Sequence, residues 1–289
     1  MKNFLKRIWN KFTQFWKRVW HKFVQLLKFS LNDLKKRYAG SIAGILWAYV
    51  LPLVTILVFW FVFELGFRQQ PVKGTTFILW FVPAYVAWTF ANDSILQSSG
   101  ALYEYSFLVK KVKFNITYLP IVKVLSSFLI HTFFIAFIFI LNAIYQTPFN
   151  PNWFNVFYYT FALSILLVGL SWIASSITVF WKDFSHIINV VLQVGFWATP
   201  VFWEPTTMNE KVLNVLKFNP LYYIVEGYRH SFIPYTELNP ETGEVISSSF
   251  VPFWGHWKMM IYYWVFAIAV FVIGLLLFKK LSKHYADLI

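Results

Sequence analysis

The sequence predicts an all-α integral membrane protein with six transmembrane helices, and three observations carry that reading. First, 58% of the 289 residues are hydrophobic and 13% are charged, well below the charge of a soluble domain. Second, apolar runs of about the 20 residues needed to cross a bilayer recur, near 43–63, 77–99, 118–141, 153–178, 186–203 and 257–278. Third, basic residues collect in alternate intervals. Eleven of the 25 Lys and Arg lie in residues 1–40, and Lys110, Lys111, Lys113, Lys182, Lys279, Lys280 and Lys283 follow the second, fourth and sixth runs. Alternating spans place all of these on one side, so both termini are expected in the cytoplasm of a multi-pass cell-membrane protein.

Two regions are expected: residues 1–42 as a cytoplasmic amphipathic and interface segment, and 43–289 as one transmembrane domain. The basic N-terminus lacks the short apolar core and small residues of a cleavable signal peptide. The absence of cysteine excludes disulfides and thiol catalysis. In residues 2–29, Phe4, Ile8, Phe12, Phe15, Val19, Phe23 and Leu27 recur every three or four residues, with Lys and Arg on the remaining face. Such a helix lies in a headgroup layer and is drawn to anionic inner-leaflet lipids. A plain anchor is the simplest reading of it. Gly40 and Gly44 have the spacing of a close helix contact, although glycine at a span entry is equally well explained by simple tolerance.

The second run contains Pro83, where a kink is expected, and ends in Asn92, Asp93, Gln97, Ser98 and Ser99. Asp93 reads either as an acid hydrogen-bonded to a neighbouring helix or as a cation or proton site. No basic partner for it is evident in the sequence. Residues 101–115 carry Leu102, Tyr105, Leu108 and Val109 at helical spacing, with Glu104 and the lysines expected in water. They read as a surface connector or as a docking element for a soluble partner. His131 in the third run reads as a packed side chain, and the fourth run offers Gly169, Ser171, Ser175 and Ser176 for helix packing. Residues 210–218 and 221–233 are apolar-periodic but too short to span, and can re-enter the bilayer only if buried in protein. The stretch PYTELNPETGEVISSS reads as a polar, turn-rich loop of low order.

Enzymatic signatures are missing from the sequence. It has no GxxxxGK[ST] loop for phosphates, no HExxH and no GxSxG. No metal site and no catalysis are expected on this chain. The net charge of +13 sits beside membrane-facing aromatics, which argues against nucleic acid. The 34 Phe, 16 Tyr and 15 Trp serve either as lipid-facing bulk and interface belts or as a lining on which sugar rings stack. An ion-coupled carrier should show more intramembrane charge and a repeat, and an integral-membrane glycosyl- or acyltransferase should show clustered acids or histidines at a bilayer face.

Several stretches together resemble the permeases of polysaccharide-exporting ABC-2 transporters, and most closely the teichoic acid translocation permeases of Gram-positive bacteria. They are RYAGSIAGILWAYVLPL (Arg37–Leu53), FELGFRQQPVKGTTFILWF (Phe63–Phe81), FWKDFSHIINVVLQVGFWATPVFW (Phe180–Trp203), FNPLYYIVEGYRHSF (Phe218–Phe232) and FKKLSKHYADLI (Phe278–Ile289). The resemblance implies the ABC-2 (type V) permease fold, with an N-terminal interface helix and an outer re-entrant hairpin. It implies a homodimer resting on two copies of a cytoplasmic ATPase, which would hold the ATP and Mg. A coupling helix then corresponds to Leu102, Tyr103, Glu104, Tyr105, Phe107, Leu108, Lys110 and Lys111. Lys35, Lys36, Arg37 and Tyr38 flank the inner entrance, and Trp47, Tyr49, Gln193, Phe196 and Trp197 line the passage. Tyr222, Tyr223, Glu226 and Arg229 shape an outer gate, although Glu226 and Arg229, three apart, read equally as a pair that holds the hairpin. The implied cargo is an undecaprenyl-diphosphate-linked wall teichoic acid. The alternative cargo is O-antigen or capsular polysaccharide.

Overall fold

The computed structural model describes residues 2–68, 74–111, 115–233, 235–238, 245–249 and 257–289. Side chains are described within those ranges from Thr13 onward, apart from 15, 18, 19, 206 and the two strands. The expected apolar positions Phe4, Ile8, Phe12, Phe15 and Val19, together with Lys113, therefore lie outside the described residues or side chains.

Helix α1 (Lys2–Arg37) runs unbroken for 36 residues and ends on Lys35, Lys36 and Arg37, cations that suit the negative end of a helix dipole. The chain then turns through Gly40 and Gly44, whose φ angles are +89° and +52°. Glycine, lacking a Cβ, adopts such angles more readily than other residues. A side chain at either glycine would meet open space, so the close helix contact is replaced by a conformational role.

The first span runs Gly44–Gly66 as a 3₁₀ turn, α2 (Trp47–Phe59) and a π-helix (Trp60–Gly66). Helix α3 (Phe77–Ser99) follows, its second amide donating to Glu64 Oε2 at 3.2 Å. Two short helices, α4 (Ala101–Glu104) and α5 (Ser106–Val109), replace the single helix expected there. The break falls at Tyr105, whose ring turns into the protein interior and whose hydroxyl is tied to Asp33. Then come α6 (Tyr118–Ile144), a 3₁₀ turn (Pro151–Phe154), α7 (Asn155–Phe180) and α8 (Phe184–Ala198). Helix α8 stops before Thr199 and Pro200, so the helix at the fifth run is only 15 residues long and leaves the run's last five residues outside it.

Helices α9 (Glu210–Leu216) and α10 (Pro220–Phe232) occupy the two short apolar stretches. Each is capped by an asparagine: Asn209 accepts from Lys211 N, and Asn219 accepts from Leu221 N with Pro220 at the first helical position. The expected loop is in part a hairpin of β1 (Tyr235–Leu238) and β2 (Val245–Ser249), antiparallel with Tyr235 opposite Ser249. Short β-branched and serine-rich runs pair there in place of the low order read from composition. Helix α11 (Trp257–Leu281), a 3₁₀ turn and α12 (Tyr285–Leu288) end the chain.

Four helical stretches among the described residues are long and apolar enough to cross a membrane: Gly44–Gly66, Tyr118–Ile144, Pro151–Phe180 and Trp257–Leu288. Helix α3 has the length but carries Asn92, Asp93 and Gln97. It is the central helix, buried for most of its length against α6, α7, α8 and α10. Helices α7 and α11 make the tightest crossing: a Cβ on Gly169 would lie 2.7 Å from the Phe271 backbone, and one on Gly274 2.4 Å from Gly169 O. A second apolar cluster sits at the α4–α5 end, where Leu102, Tyr105, Trp172, Val179, Phe278 and Tyr285 pack together.

Candidate functional site

The α4–α5 end is organised by charge. Asp33 of α1 and Lys123 of α6 are each only 1% exposed and meet at 2.6 Å. The same ammonium donates to Glu104 Oε2 at 2.5 Å. Tyr105 donates its hydroxyl to Asp33 Oδ1 at 2.5 Å, and Ser126 donates to Asp33 Oδ2 at 2.8 Å. Burial, and then the bond to Asp33, raise the Tyr105 pKa, so the phenol keeps its proton and serves as donor. Glu104 is exposed as expected, and it also faces the buried lysine on one side and Lys36 at 3.7 Å on the other. A buried lysine shared by two carboxylates satisfies the rule that an interior charge must be paired.

One turn further along α1, Arg37 forms a two-pronged pair with Asp93 of α3, its Nη1 at 2.8 Å from Oδ2. Ser127 donates to the same carboxylate at 2.6 Å. Burial opposes the Arg37 charge, but the Asp93 hydrogen bonds and field outweigh it and leave the pKa raised. Asp93 therefore has the basic partner that the sequence did not reveal. Of the four expected entrance residues, Lys35 and Lys36 are exposed, while Arg37 and Tyr38 line a cavity of about 380 Å³. Trp47, Tyr85, Thr89, Asn92, Asp93 and His131 share its wall. His131 stacks on Phe90 at 4.4 Å and bonds the Tyr228 hydroxyl at 2.8 Å, as a packed side chain.

Gln193, Phe196 and Trp197 line a second cavity of about 430 Å³ with Tyr85, Trp88, Thr89, Asn92 and Leu192. Tyr85, Thr89 and Asn92, on one stripe of α3, border both cavities. Tyr49 borders neither and packs on Phe133 at 4.7 Å. Aromatic faces beside amide side chains suit a ring-shaped, hydroxyl-rich guest. Among the residues expected to dock a partner, Glu104, Phe107, Lys110 and Lys111 are exposed and Tyr103 and Leu108 partly so. Leu102 and Tyr105 face inward. Tyr103 donates to Val179 O at 3.1 Å.

At the far end, Arg229 is 2% exposed. It pairs with Glu226, donates to Trp80 O at 3.2 Å, Pro200 O at 2.8 Å and Val201 O at 3.0 Å, and lies 3.7 Å over the Trp80 ring. These contacts hold α10 against α3 and the turn after α8. Tyr222 and Tyr223 are buried, with Tyr223 against Tyr159 and Tyr263.

Residues 22–233, which contain both cavities, the charged cluster and the Arg229 anchor, match the family model described as ABC-2 type transporter. The chain belongs to the ABC-2 type transporter family. This ABC-2 permease is similar to two O-antigen export system permease proteins (RfbA) of Klebsiella pneumoniae, at 24% and 22% identity over 259 residues, covering 89% of this chain and 92% of each relative. It is similar to the O-antigen export system permease protein RfbA of Myxococcus xanthus at 26% identity over 211 residues, covering 72% of this chain and 79% of that one. In the permease, sequence reasoning missed Asp33, Lys123, Tyr85 and Thr89 as site residues. The available signal was the presence of lone opposite charges in apolar segments, Asp93 and Lys123, each of which demands a partner. Among the described residues no group of three His, Asp or Glu is placed to hold a metal.

Proposed function

We propose that this permease is the membrane subunit of an exporter that moves a lipid-linked polysaccharide outward, powered by a separate ATPase. The match to permeases named for O-antigen export along 89% of the chain carries the reading. Of the two cargoes weighed, the relatives support an O-antigen-like polysaccharide. A wall teichoic acid rests on the resemblance of runs such as NPLYYIVEGYR. In this reading α3 and α8 complete six spans and both termini are cytoplasmic. α9–α10 form a re-entrant outer hairpin, the N-terminal part of α1 lies on anionic inner-leaflet lipids, and two copies enclose the passage. The half-exposed faces of α2 and α8 then meet the second copy or lipid. Tyr103, Glu104, Phe107, Leu108, Lys110 and Lys111 dock the ATPase. Lys35, Lys36, Arg37 and Tyr38 meet cargo phosphates at the inner entrance, Trp47, Gln193, Phe196 and Trp197 line the route, and Tyr222, Tyr223, Glu226 and Arg229 brace its outer end.

Co-expression with a candidate ATP-binding subunit from the same genome tests the reading. Co-purification and cargo-stimulated ATP hydrolysis are expected, with hydrolysis absent from the permease alone. Export driven by a proton gradient without that subunit would overturn it. Mass spectrometry of the glycan that accumulates inside a transport-deficient strain separates O-antigen from teichoic acid.

A further inference from the structure

Two rungs of charge join α1 to the bundle, and both use residues spaced by one helical turn. Asp33 and Arg37 are four apart on α1, and Lys123 and Ser127 are four apart on α6, so each pair shares a helix face. The lower rung is Asp33 with Lys123 and Ser126, and the upper is Arg37 with Asp93 and Ser127. A buried carboxylate must find a counter-charge or lose its ionisation. Three cations lie around Asp33: Lys123, which it holds; Lys36, which reaches instead to Glu104 at 3.7 Å and over the Tyr105 ring; and Arg37, one turn away on its own helix in an arrangement that favours pairing. Asp33 already contributes to the field at Arg37.

We propose that Lys123 is a positioning residue: by occupying Asp33, it leaves Arg37 to Asp93 and so sets the mouth of the 380 Å³ cavity. The docking element belongs to the same set. Glu104 competes for the Lys123 ammonium and Tyr105 supplies a second donor to Asp33. A shift of α4–α5 therefore changes how strongly Asp33 draws on Arg37, and the cavity responds to events at the surface of the protein. The exchange needs only this chain. That its trigger is an ATPase rests on the function proposed above.

The chain has no cysteine, so a single Asn92→Cys substitution in the cavity wall gives a clean reporter. Its labelling by a water-soluble maleimide is measured on the purified full chain in detergent. Lys123→Met should speed labelling about three- to tenfold, the range of coupling through packed networks. Tyr105→Phe should act in the same direction by about twofold. Lys123→Arg should stay near the parent rate. The deciding variant is Asp33→Asn with Lys123→Met. With no stray carboxylate to draw Arg37, the double variant should return to the slow rate. A structural staple predicts the opposite, a double variant at least as open as Lys123→Met. That result, or an unchanged rate in Lys123→Met, overturns the proposal. If Lys123→Met does not fold, Tyr105→Phe with and without Asp33→Asn gives the same comparison. Failure to co-purify an ATPase would leave these rates untouched and count against the function alone.

Discussion

Arg229 and Arg37 are both paired with a carboxylate but differ in what else holds them. Arg229 answers Glu226 and three backbone carbonyls while lying on the Trp80 ring. Truncating it leaves those carbonyls without their donor and removes the guanidinium from Glu226, which keeps His230 at 3.5 Å, and such losses cost about 3–5 kcal/mol. Arg229→Ala should lower the unfolding midpoint in detergent sharply. Arg229→Lys should recover only part, because an ammonium lacks the planar fork and the stacking. Lys35 is exposed, so Lys35→Gln should change stability by less than about 0.5 kcal/mol. A loss of export in Lys35→Gln at unchanged stability would support its place at the cargo entrance. These pairings were only partly legible: Glu226 and Arg229 are three residues apart and readable as a pair, whereas Arg37 and Asp93 are 56 apart and meet only through the bundle.

Single elements were legible where local chemistry decides them and opaque where tertiary contacts do. The Asn219-Pro220 start of α10 is local cap chemistry, with Asn219 accepting from Leu221 N and Pro220 at the first helical position. The break at Tyr105 is invisible to periodicity, because it comes from a phenol drawn to an aspartate on another helix. The two strands were likewise hidden, since each is stabilised by the other rather than by its own sequence. The α7–α11 crossing depends on glycines at 169 and 274, each facing the other helix's backbone. Gly274→Ala puts a methyl group inside contact distance and should cost about 1–3 kcal/mol, the usual penalty for overpacking, read as a lowered unfolding midpoint. On α5, Phe107 is 55% exposed. Phe107→Ala should leave the fold intact and weaken retention of the ATPase on affinity purification.

For the whole molecule, the basic charge is concentrated in α1, and the family match starts at residue 22. Replacing Lys2, Lys6, Arg7 and Lys11 with Gln should therefore spare the fold. It should weaken binding of the detergent-solubilised chain to anionic vesicles by about 1 kcal/mol per charge at low salt. Equal binding to neutral vesicles before and after the change would contradict an electrostatic role only if anionic vesicles also showed no loss. The two cavities add a consequence of their own. Tyr85, Thr89 and Asn92 border both, so the partition between the chambers is built of side chains on an unbroken α3. Side-chain turns are far faster than helix movements, and such a doorway can swing without a single backbone rung coming undone.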